Sequence, residues 1–266
     1  MRIVTREPHP ALRPFVQSLW YFEGPDLPHA REKVLPDGAM QLLVNLEEDE
    51  LRWWQGDALD EPRTTAGAAV SGTFERAIVI DTREQRRITG VSFVPGGAPP
   101  LLGLPSDEAS EAHPALEDVW GRDRYARERL LEAPTAEAVL ATWDALLLHA
   151  LRGSVDPRLA FAIEALDRGD AVRAVAGELG WSGRRLRQRF VAQVGLFPKR
   201  FARVRRLQHI LQSIARGRFG SFAQLAAAHG FTDQAHLIRD FRDLTLTTPT
   251  RYRARDDDGV NHVVLD

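Results

Sequence analysis

The chain has no cysteine among its 266 residues, and this absence removes several kinds of chemistry. It excludes disulfide bonds, thiolate metal sites and a cysteine nucleophile. Long apolar runs are absent too: none reaches the roughly 18 residues of a membrane span, and the amino terminus lacks the apolar core of a signal peptide. We therefore expect a soluble, cytoplasmic protein with no membrane partner.

The signatures of enzymes and of metal sites are also missing. The eight histidines form no His-x-His or His-x-x-x-His pair, and no Gly-x-Ser-x-Gly motif is present. Gly96-Gly97 lacks the Lys-Ser/Thr pair and the further glycines of a phosphate-binding loop, so we interpret it as a turn between a strand and a helix. The sequence therefore predicts no catalytic residue, no metal and no cofactor, and it disfavours an enzyme.

Charge is unevenly distributed along the chain. Residues 151–266 contain 20 Lys+Arg and 12 Asp+Glu, which leaves 15 and 25 for residues 1–150. The overall formal charge of −2 therefore combines an acidic first part (−10) with a basic second part (+8). A basic half is suited to bind DNA, whereas an acidic half is not. We predict two domains, residues 1–152 and 156–255, followed by an acidic tail at 256–266.

The first domain has the pattern of a β domain with helices at its end. Several short runs of β-type residues are separated by Gly, Pro and Asp: 17–23, 39–46, 77–80 and 88–94. This spacing predicts an antiparallel barrel or sandwich. Helical periodicity follows, with an apolar stripe from Leu130 to Leu151 that Pro134 interrupts and Thr135 restarts as a cap. We expect this stripe to pack on its own domain; a dimer interface is the alternative.

The stretch from Ala171 to Pro198 predicts two short helices with a sharp turn between them. Gly180 permits the left-handed backbone that ends the first helix, Trp181 fills the corner, and Ser182 is placed to cap the second helix. In that second helix, apolar residues lie four apart on one face and leave a basic face outward: Leu186, Phe190 and Val194. An apolar back and a basic front suit a helix that reads the major groove.

The same design recurs about fifty residues later. A shift of 51 relates Leu186, Phe190, Gly195, Pro198 and Phe201 to Leu237, Phe241, Leu246, Pro249 and Tyr252. A register held through turn, helix and proline indicates a duplicated helix-turn-helix unit. Between the units, residues 199–214 predict a connecting helix of about 24 Å at 1.5 Å per residue. That length suits two recognition helices about one DNA turn, roughly 34 Å, apart.

The duplicated unit resembles the DNA-binding domain of the AraC/XylS family of bacterial transcription regulators. The resemblance spans roughly Asp156 to Arg255, and its most specific parts are GFTDQAHLIRDF and the TPTRYR that follows. Two positions depart from the family: Leu246 stands where it usually has Gly, and Leu237 where it has an aromatic residue. We therefore expect the second unit to be less well capped than the first.

The first domain carries a second resemblance. VLPDGAMQLLVNL and VSFVPGGAPPLLGLPSDE are similar to the small cupin-like β-barrel sensor domain of one branch of the family. Together the resemblances imply an α+β multidomain protein, with an antiparallel cupin-like barrel and flanking helices before an all-α domain of two helix-turn-helix units joined by a linker helix.

The implied function is a sequence-specific DNA-binding transcription regulator whose barrel binds a small molecule or a partner. One alternative is a constitutive regulator whose barrel only forms a homodimer or contacts RNA polymerase. Another is a barrel enzyme fused to a DNA-binding domain. The expected partner is double-stranded promoter DNA.

The resemblance to the family's recognition helices also implies which side chains face DNA. The predicted DNA-binding residues are Ser182, Arg184, Arg185, Arg187, Gln188, Gln234, Ala235, His236, Ile238 and Arg239, with Arg206 on phosphate. The predicted core residues behind them are Leu186, Phe190, Leu237 and Phe241.

Aromatic side chains of the strands are candidates for a ligand pocket, and plain core is the alternative role: Trp20, Phe22, Trp53 and Phe93. For the tail we expect disorder. Two alternatives are that its acids compete with DNA phosphates, or that Val263–Leu265 docks on a barrel edge.

Overall fold

The computed structural model describes residues 2–25, 27–56, 59, 61–121, 125–217, 219–254 and 259–265. The strands are β1 Arg2–Arg6, β2 Val16–Glu23, β3 Arg31–Val34, β4 Gln41–Asn45, β5 Glu50–Gln55, β6 Arg63–Ala66, β7 Ala68–Ser71, β8 Ile78–Asp81, β9 Arg87–Phe93 and β10 His262–Val264. The α-helices are α1 Pro99–Leu102, α2 Leu116–Trp120, α3 Ala126–Leu131, α4 Ala136–Ala150, α5 Pro157–Asp167, α6 Val172–Glu178, α7 Gly183–Val194, α8 Pro198–Ala215, α9 Phe222–Ala228 and α10 Gln234–Thr245.

The strands form two antiparallel five-stranded sheets, not the closed barrel that was predicted. Sheet A has the order β1-β2-β9-β4-β7, and sheet B has the order β10-β3-β8-β5-β6. The chain passes from sheet B to sheet A at Gly67, where a Cβ would lie 2.6 Å from the carbonyl oxygen of Glu48. Such a sharp corner separates β6 from β7 and divides the strands between two layers. The sandwich alternative therefore describes the domain better than the cupin-like barrel.

Strands β2, β9 and β4 of sheet A bury residues on both faces. On one face, Leu42, Val91 and Phe93 pack with residues of α4 in a single apolar core. Trp143 of α4 donates its indole N–H to Thr89 Oγ1 at 3.0 Å, which fixes the helix to β9. The apolar stripe therefore packs on its own domain, as predicted. Thr135 caps α4 by accepting the Ala138 N–H at 3.2 Å, also as predicted.

The other face of sheet A contacts sheet B. Phe22 and Ile88 of sheet A form an apolar cluster with Leu51 of β5, and Trp20 packs beside them. Trp53, Phe74 and Ile78 form a separate cluster with partly buried residues of β3 and β8. Two separate clusters, and not one continuous core, therefore lie along this part of the β domain.

Helices α5 to α10 form the second domain around one apolar core. All four residues predicted to back the recognition helices are buried there: Leu186, Phe190, Leu237 and Phe241. The connecting helix α8 runs over 18 residues, close to the predicted range, and buries Phe201 and Leu211. No helix in the described residues is long and apolar enough to cross a membrane.

The end of the chain returns to the first domain. β10 pairs with the edge strand β3 in an antiparallel ladder that places Val263 opposite Lys33, and the Leu265 N–H donates to the Arg31 carbonyl at 3.2 Å. The expectation of a disordered tail is therefore wrong for these residues, and the edge-docking alternative is confirmed. Residues 255–258, which include the three acids, lie outside the described residues. A strand that follows the helical domain thus completes a sheet of the β domain.

The two domains share part of their core. Leu35 and Ala77 of the β domain are buried in the same cluster as the helical residues. The predicted turn Pro36-Asp37-Gly38 packs on α8, where Gln208 Nε2 donates to the Pro36 carbonyl at 2.7 Å. Gly38 has φ +81, and a Cβ there would lie 3.1 Å from the Phe201 ring. The domains therefore meet along a packed interface instead of being joined by a linker alone.

Candidate nucleic-acid interface

The turn of the first helix-turn-helix unit is rigid because each of its residues has a defined partner. Gly180 is left-handed, with φ +63, and Trp181 is only 7% exposed. Ser182 Oγ accepts the Arg185 N–H at 3.2 Å and so caps α7. The guanidinium groups of Arg158 and Arg185 lie 5.3 and 5.2 Å from the Trp181 ring centroid. These contacts hold α7 at a set angle to α6.

The outer face of α7 is exposed and cationic. Arg184, Arg187 and Gln188 are exposed, and within the described part of the chain neither of the two arginines forms an ion pair. The neighbouring Arg189 lies 3.6 Å from Asp156, so its charge is partly neutralised. From residue 184 to 188 a helix rises about 6 Å, which spans about two base pairs. The three side chains are therefore free to meet DNA together.

The second unit presents a smaller polar face on α10. Asp233 caps the helix by accepting the His236 N–H at 2.6 Å. Gln234, Ala235 and Arg239 are exposed. The His236 ring lies edge-on to Phe231, 5.1 Å between centroids, and its Nδ1 is 3.1 Å from Thr232 Oγ1.

Ile238 is half-buried and packs against the helical core. Of the five residues predicted to face DNA here, three are therefore fully on the surface, and His236 and Ile238 are only partly accessible.

Arg206 contacts groups within the helical domain. Its guanidinium lies 4.1 Å from the Phe231 ring centroid and 3.2 Å from Asp240, and its Nε has no hydrogen-bond partner. The side chain therefore links α8 to the second unit: its guanidinium stacks on an aromatic ring and forms an ion pair there. This arrangement disfavours the predicted phosphate contact.

The two acids of α10 pair with arginines of other elements. Asp240 and Asp243 both pair with Arg203 of α8, and Asp243 also pairs with Arg76 of the β domain. Asp240 is 13% exposed and Asp243 33%. Arg239 and Arg242 remain on the outside of the helix. The sequence places these acids near the recognition surface, and only their ion-pair partners reveal that they are neutralised.

The two recognition helices end differently. Both have a left-handed residue after the last turn, but it is Gly195 in the first unit and Leu246 in the second, with φ +85 and +55. A non-glycine residue in this region carries a cost on the order of 1 kcal/mol. Lys33 of β3 donates its Nζ to the Leu246 carbonyl at 2.9 Å. The predicted weaker cap is therefore present, and the β domain supports it.

The four candidate ligand residues do not form one pocket. Trp20 and Phe22 belong to the cluster shared by the sheets, Trp53 belongs to the separate cluster on sheet B, and Phe93 lies on the helix-packed face of sheet A. Phe93 is fully buried and is core.

Two surface cavities of about 530 and 170 Å³ contain none of these aromatic residues. Their linings are Pro28, His29, Ala30, Arg31, Leu59 and Leu265 for the larger, and Asp49, Ala66, Ala68, Leu116, Glu117, Ala126, Arg127 and Glu128 for the smaller.

A half-buried histidine missed by sequence reasoning lies against the sheet B cluster. The His113 ring centroid is 4.6 Å from that of Trp53 and 5.1 Å from that of Phe74. Burial lowers the pKa of His113 to about 4, and its Nε2 has no hydrogen-bond partner. The ring is therefore neutral near pH 7. Within the described residues no group of three or more His, Asp and Glu side chains is arranged to hold a metal ion.

Two family models match separate parts of the chain. Residues 158–255 match a family model described as a helix-turn-helix domain, and residues 4–114 match one described as a domain of unknown function (DUF6597). No curated protein matches significantly.

Solved structures of ToxT from Vibrio cholerae have a similar chain course. The 1.65 Å structure in the P21 form is 9% identical, covers 94% of this chain and 97% of that one, and has a TM-score of 0.46. Wild-type ToxT with bound unsaturated fatty acid is 9% identical, covers 94% of each chain, and has a TM-score of 0.47.

Proposed function

We propose that the chain is a DNA-binding transcription regulator of the AraC family and not an enzyme, and that α7 and α10 are its two recognition helices; the helix-turn-helix family model that residues 158–255 match supports this. The exposed cationic face of α7 supports this proposal most strongly. Its apolar back is fully buried at Leu186 and Phe190, so the basic side chains are held outward by the core behind them.

Within α7, we assign base reading to Arg184, Arg187 and Gln188. Arg presents a forked pair of donors to guanine, and Gln pairs with the adenine edge; each good bidentate contact contributes about 1–3 kcal/mol of discrimination. Ser182 acts mainly by capping the helix, whose free N–H groups then favour a phosphate. Arg185, stacked on Trp181, supplies charge beside the groove.

Within α10, Gln234 and Arg239 are the main readers, with Ala235 beside them and His236 and Ile238 at the margin of the contact. Only one cation, Arg239, stands among these residues, so we propose that the second unit contributes less affinity than the first. Exposed Arg173 of α6 and Arg242 of α10 are further candidates for phosphate contacts in place of Arg206.

The test uses the full chain and a duplex enriched by it from a random double-stranded DNA library. Arg187→Ala should lower affinity for the enriched duplex by about 1–3 kcal/mol. Affinity for a scrambled duplex should change only through one lost charge, which flattens the salt slope by about one. Arg13→Ala is the matched control, because Arg13 is an exposed ion-paired arginine of the β domain.

If Arg184, Arg187 and Gln188 variants lose affinity equally for both duplexes, α7 supplies charge without reading bases. Failure to enrich any sequence would contradict sequence-specific binding itself.

For the rest of the chain, we propose that residues 1–152 form a regulatory domain, modulated by a small molecule or a partner, that acts on residues 156–255 in the cytoplasm. The packed interface between the domains supports this, because Leu35 and Ala77 of the β domain are buried in the same core as the helices that hold α7 and α10. Melting the full chain with a metabolite library tests it, since a ligand of the folded state raises the Tm. A hit should also change affinity for the enriched duplex.

The second candidate role for this domain is constitutive dimerisation. It is favoured by apolar side chains that stay exposed beside the buried stripe, Leu131 and Leu148, at 37% and 39%. Light scattering of wild type and Leu148→Glu separates the two roles, because only a dimer held by this surface dissociates in the variant. A third candidate role is contact with RNA polymerase, which would be detected as activation of transcription with purified components.

A further inference from the structure

Both recognition helices are attached at their carboxyl ends to one short stretch of the β domain. This bridging segment, residues 73–77 (TFERA), runs between β7 of sheet A and β8 of sheet B. Thr73, Glu75 and Arg76 contact the helical domain, whereas Phe74 enters the Trp53 cluster. The segment therefore has one side on the DNA-binding domain and the other in the β domain.

On the first unit, the bridging segment contacts the cap of α7. A Cβ added to Gly195 would lie 2.2 Å from Thr73 Oγ1, so the segment and the cap are in direct contact. Ser110 Oγ donates to the Gly195 carbonyl at 2.7 Å and is itself 3.3 Å from Thr73 Oγ1. Glu75 pairs with Arg200 in the first turn of α8. The end of α7 and the start of α8 are thus both held.

On the second unit, the bridging segment contacts the last turn of α10. The Ala77 N–H donates to the Leu244 carbonyl at 2.7 Å, and Arg76 pairs with Asp243. Ala77 is fully buried and belongs to the helical core. These bonds satisfy carbonyl and acid groups at the carboxyl end of the helix, which the helix itself leaves open.

The bridging segment is itself held on the side of the β domain. Glu111 accepts the Glu75 N–H at 2.7 Å, and the Glu111 N–H donates to the Thr73 carbonyl at 3.0 Å. Phe74 lies 5.5 Å from Trp53 and 5.1 Å from His113, ring centroid to centroid. A shift of the Phe74 ring would therefore move the backbone that carries the contacts to both recognition helices.

We propose that residues 73–77 are positioning residues for DNA recognition: they set the distance and angle between α7 and α10, and Phe74 couples that geometry to the Trp53–His113 cluster. The proposal rests on the assignment of α7 and α10 as recognition helices. Helices in successive grooves must match the DNA repeat, so a relaxed geometry should reduce discrimination between operators of different spacing more than it reduces affinity itself.

The first measurement needs no DNA. The chain has no cysteine, so Arg189→Cys and Arg242→Cys place two spin labels on exposed positions of α7 and α10. Wild type should give one narrow distance distribution. Glu75→Gln, which keeps the side-chain size, with Arg76→Gln, which shortens the side chain but keeps it polar, removes both ion pairs and should broaden or shift the distribution. As a control, Glu47→Gln with Arg86→Gln removes a 3.0 Å ion pair of the β domain and should leave the distance distribution unchanged.

The second measurement compares the duplex enriched by wild type with versions carrying one or two extra base pairs between the two contacted halves. The Glu75/Arg76 variant should lose preference for the original spacing by roughly 2- to 30-fold. Phe74→Leu should also weaken the preference for the original spacing, although both ion pairs stay intact. Melting curves show whether each variant is folded. Arg76→Gln alone replaces any variant that is not folded.

An unchanged distance distribution together with unchanged spacing preference overturns the proposal. If wild type enriches no duplex, the proposed function fails, and the spin-label distances still decide whether residues 73–77 hold the two helices.

Discussion

The two helix-turn-helix units follow the same sequence pattern but are stabilised differently. The first ends in Gly195, which adopts the left-handed conformation without strain, and its outer face is all cation and amide. The second ends in Leu246, whose carbonyl accepts from Lys33, and it carries two acids on α10 that pair with Arg76 and Arg203. All three partners lie outside the unit. A repeated pattern therefore specifies the same backbone twice, while the groups that complete the carboxyl end of each copy differ.

This difference bears on regulation. Two of the groups that support the second unit lie in the β domain, one on β3 and one in the bridging segment. The first unit receives its contacts at a glycine cap that fits closely against Thr73 and Ser110. A change in the sheets would thus alter the support of α10 through ion pairs and hydrogen bonds, and that of α7 through close packing and hydrogen bonds. We expect the second unit to respond more readily, because partly exposed ion pairs are weaker constraints than close packing.

The largest expected effect is on stability, at the buried phenylalanine that the two units share. Phe190→Ala and Phe241→Ala remove equivalent rings that are 0% and 1% exposed. Each should lower the free energy of unfolding by about 3–5 kcal/mol, because the lost apolar contact and the cavity add together. Urea unfolding of both variants measures this. A cost much smaller for Phe241 would show that the second unit does not unfold together with the first.

The next effect separates the two caps. Gly195→Ala should cost about 1–3 kcal/mol, because it places a side chain at positive φ and against Thr73 Oγ1. Leu246→Gly should change stability by less than about 1 kcal/mol, because relief of strain offsets added backbone freedom and lost packing. Thermal melts of both variants check this. A large loss for Leu246→Gly would mean that its side chain, and not its backbone, holds the second unit.

A smaller effect is expected at Arg206. Arg206→Ala removes a cation stacked on Phe231 and paired with Asp240, so stability should fall by about 1 kcal/mol. The salt dependence of DNA binding should stay as in wild type, because the side chain faces the protein. Binding titrations at several salt concentrations measure the slope. A slope flatter by about one would show that Arg206 contacts phosphate, as the sequence alone predicted.

The smallest expected effect is on stability at acid pH, and it comes from one position at which the two units differ. His229 occupies the place that Leu179 holds in the first unit, and burial, with the nearby charges of His209 and Arg206, lowers its pKa below 6.5. A base whose pKa is lowered by folding contributes stability that is complete above pH 6.5 and is lost as the pH falls through the folded pKa.

His229→Leu should therefore reduce the loss of stability on acidification below pH 6.5. Melting temperatures measured from pH 7.5 to 5 test this. Equal acid sensitivity of wild type and variant would assign that sensitivity elsewhere; His113, whose pKa is about 4, is the first place to look.

Local sequence patterns were sufficient for the helical domain. The turn at Gly180, the cap at Ser182, the buried Phe190 and the extent of α8 all follow from spacing within one or two turns of helix, and each is confirmed. Strands with one strongly apolar face, such as β4 and β9, were predicted for the same reason. β1 was not, because its residues are mostly exposed on both faces and show no alternation.

What the sequence by itself determined is the set of elements whose stabilising contacts lie close along the chain: two helix-turn-helix units, a connecting helix and the main strands. Only the tertiary structure decided which charges are free and which strands meet. The paired acids of α10, the paired Arg206 and the docking of β10 on β3 join residues up to about 230 positions apart. Such contacts depend on charge and edge complementarity between distant segments, which no local periodicity encodes.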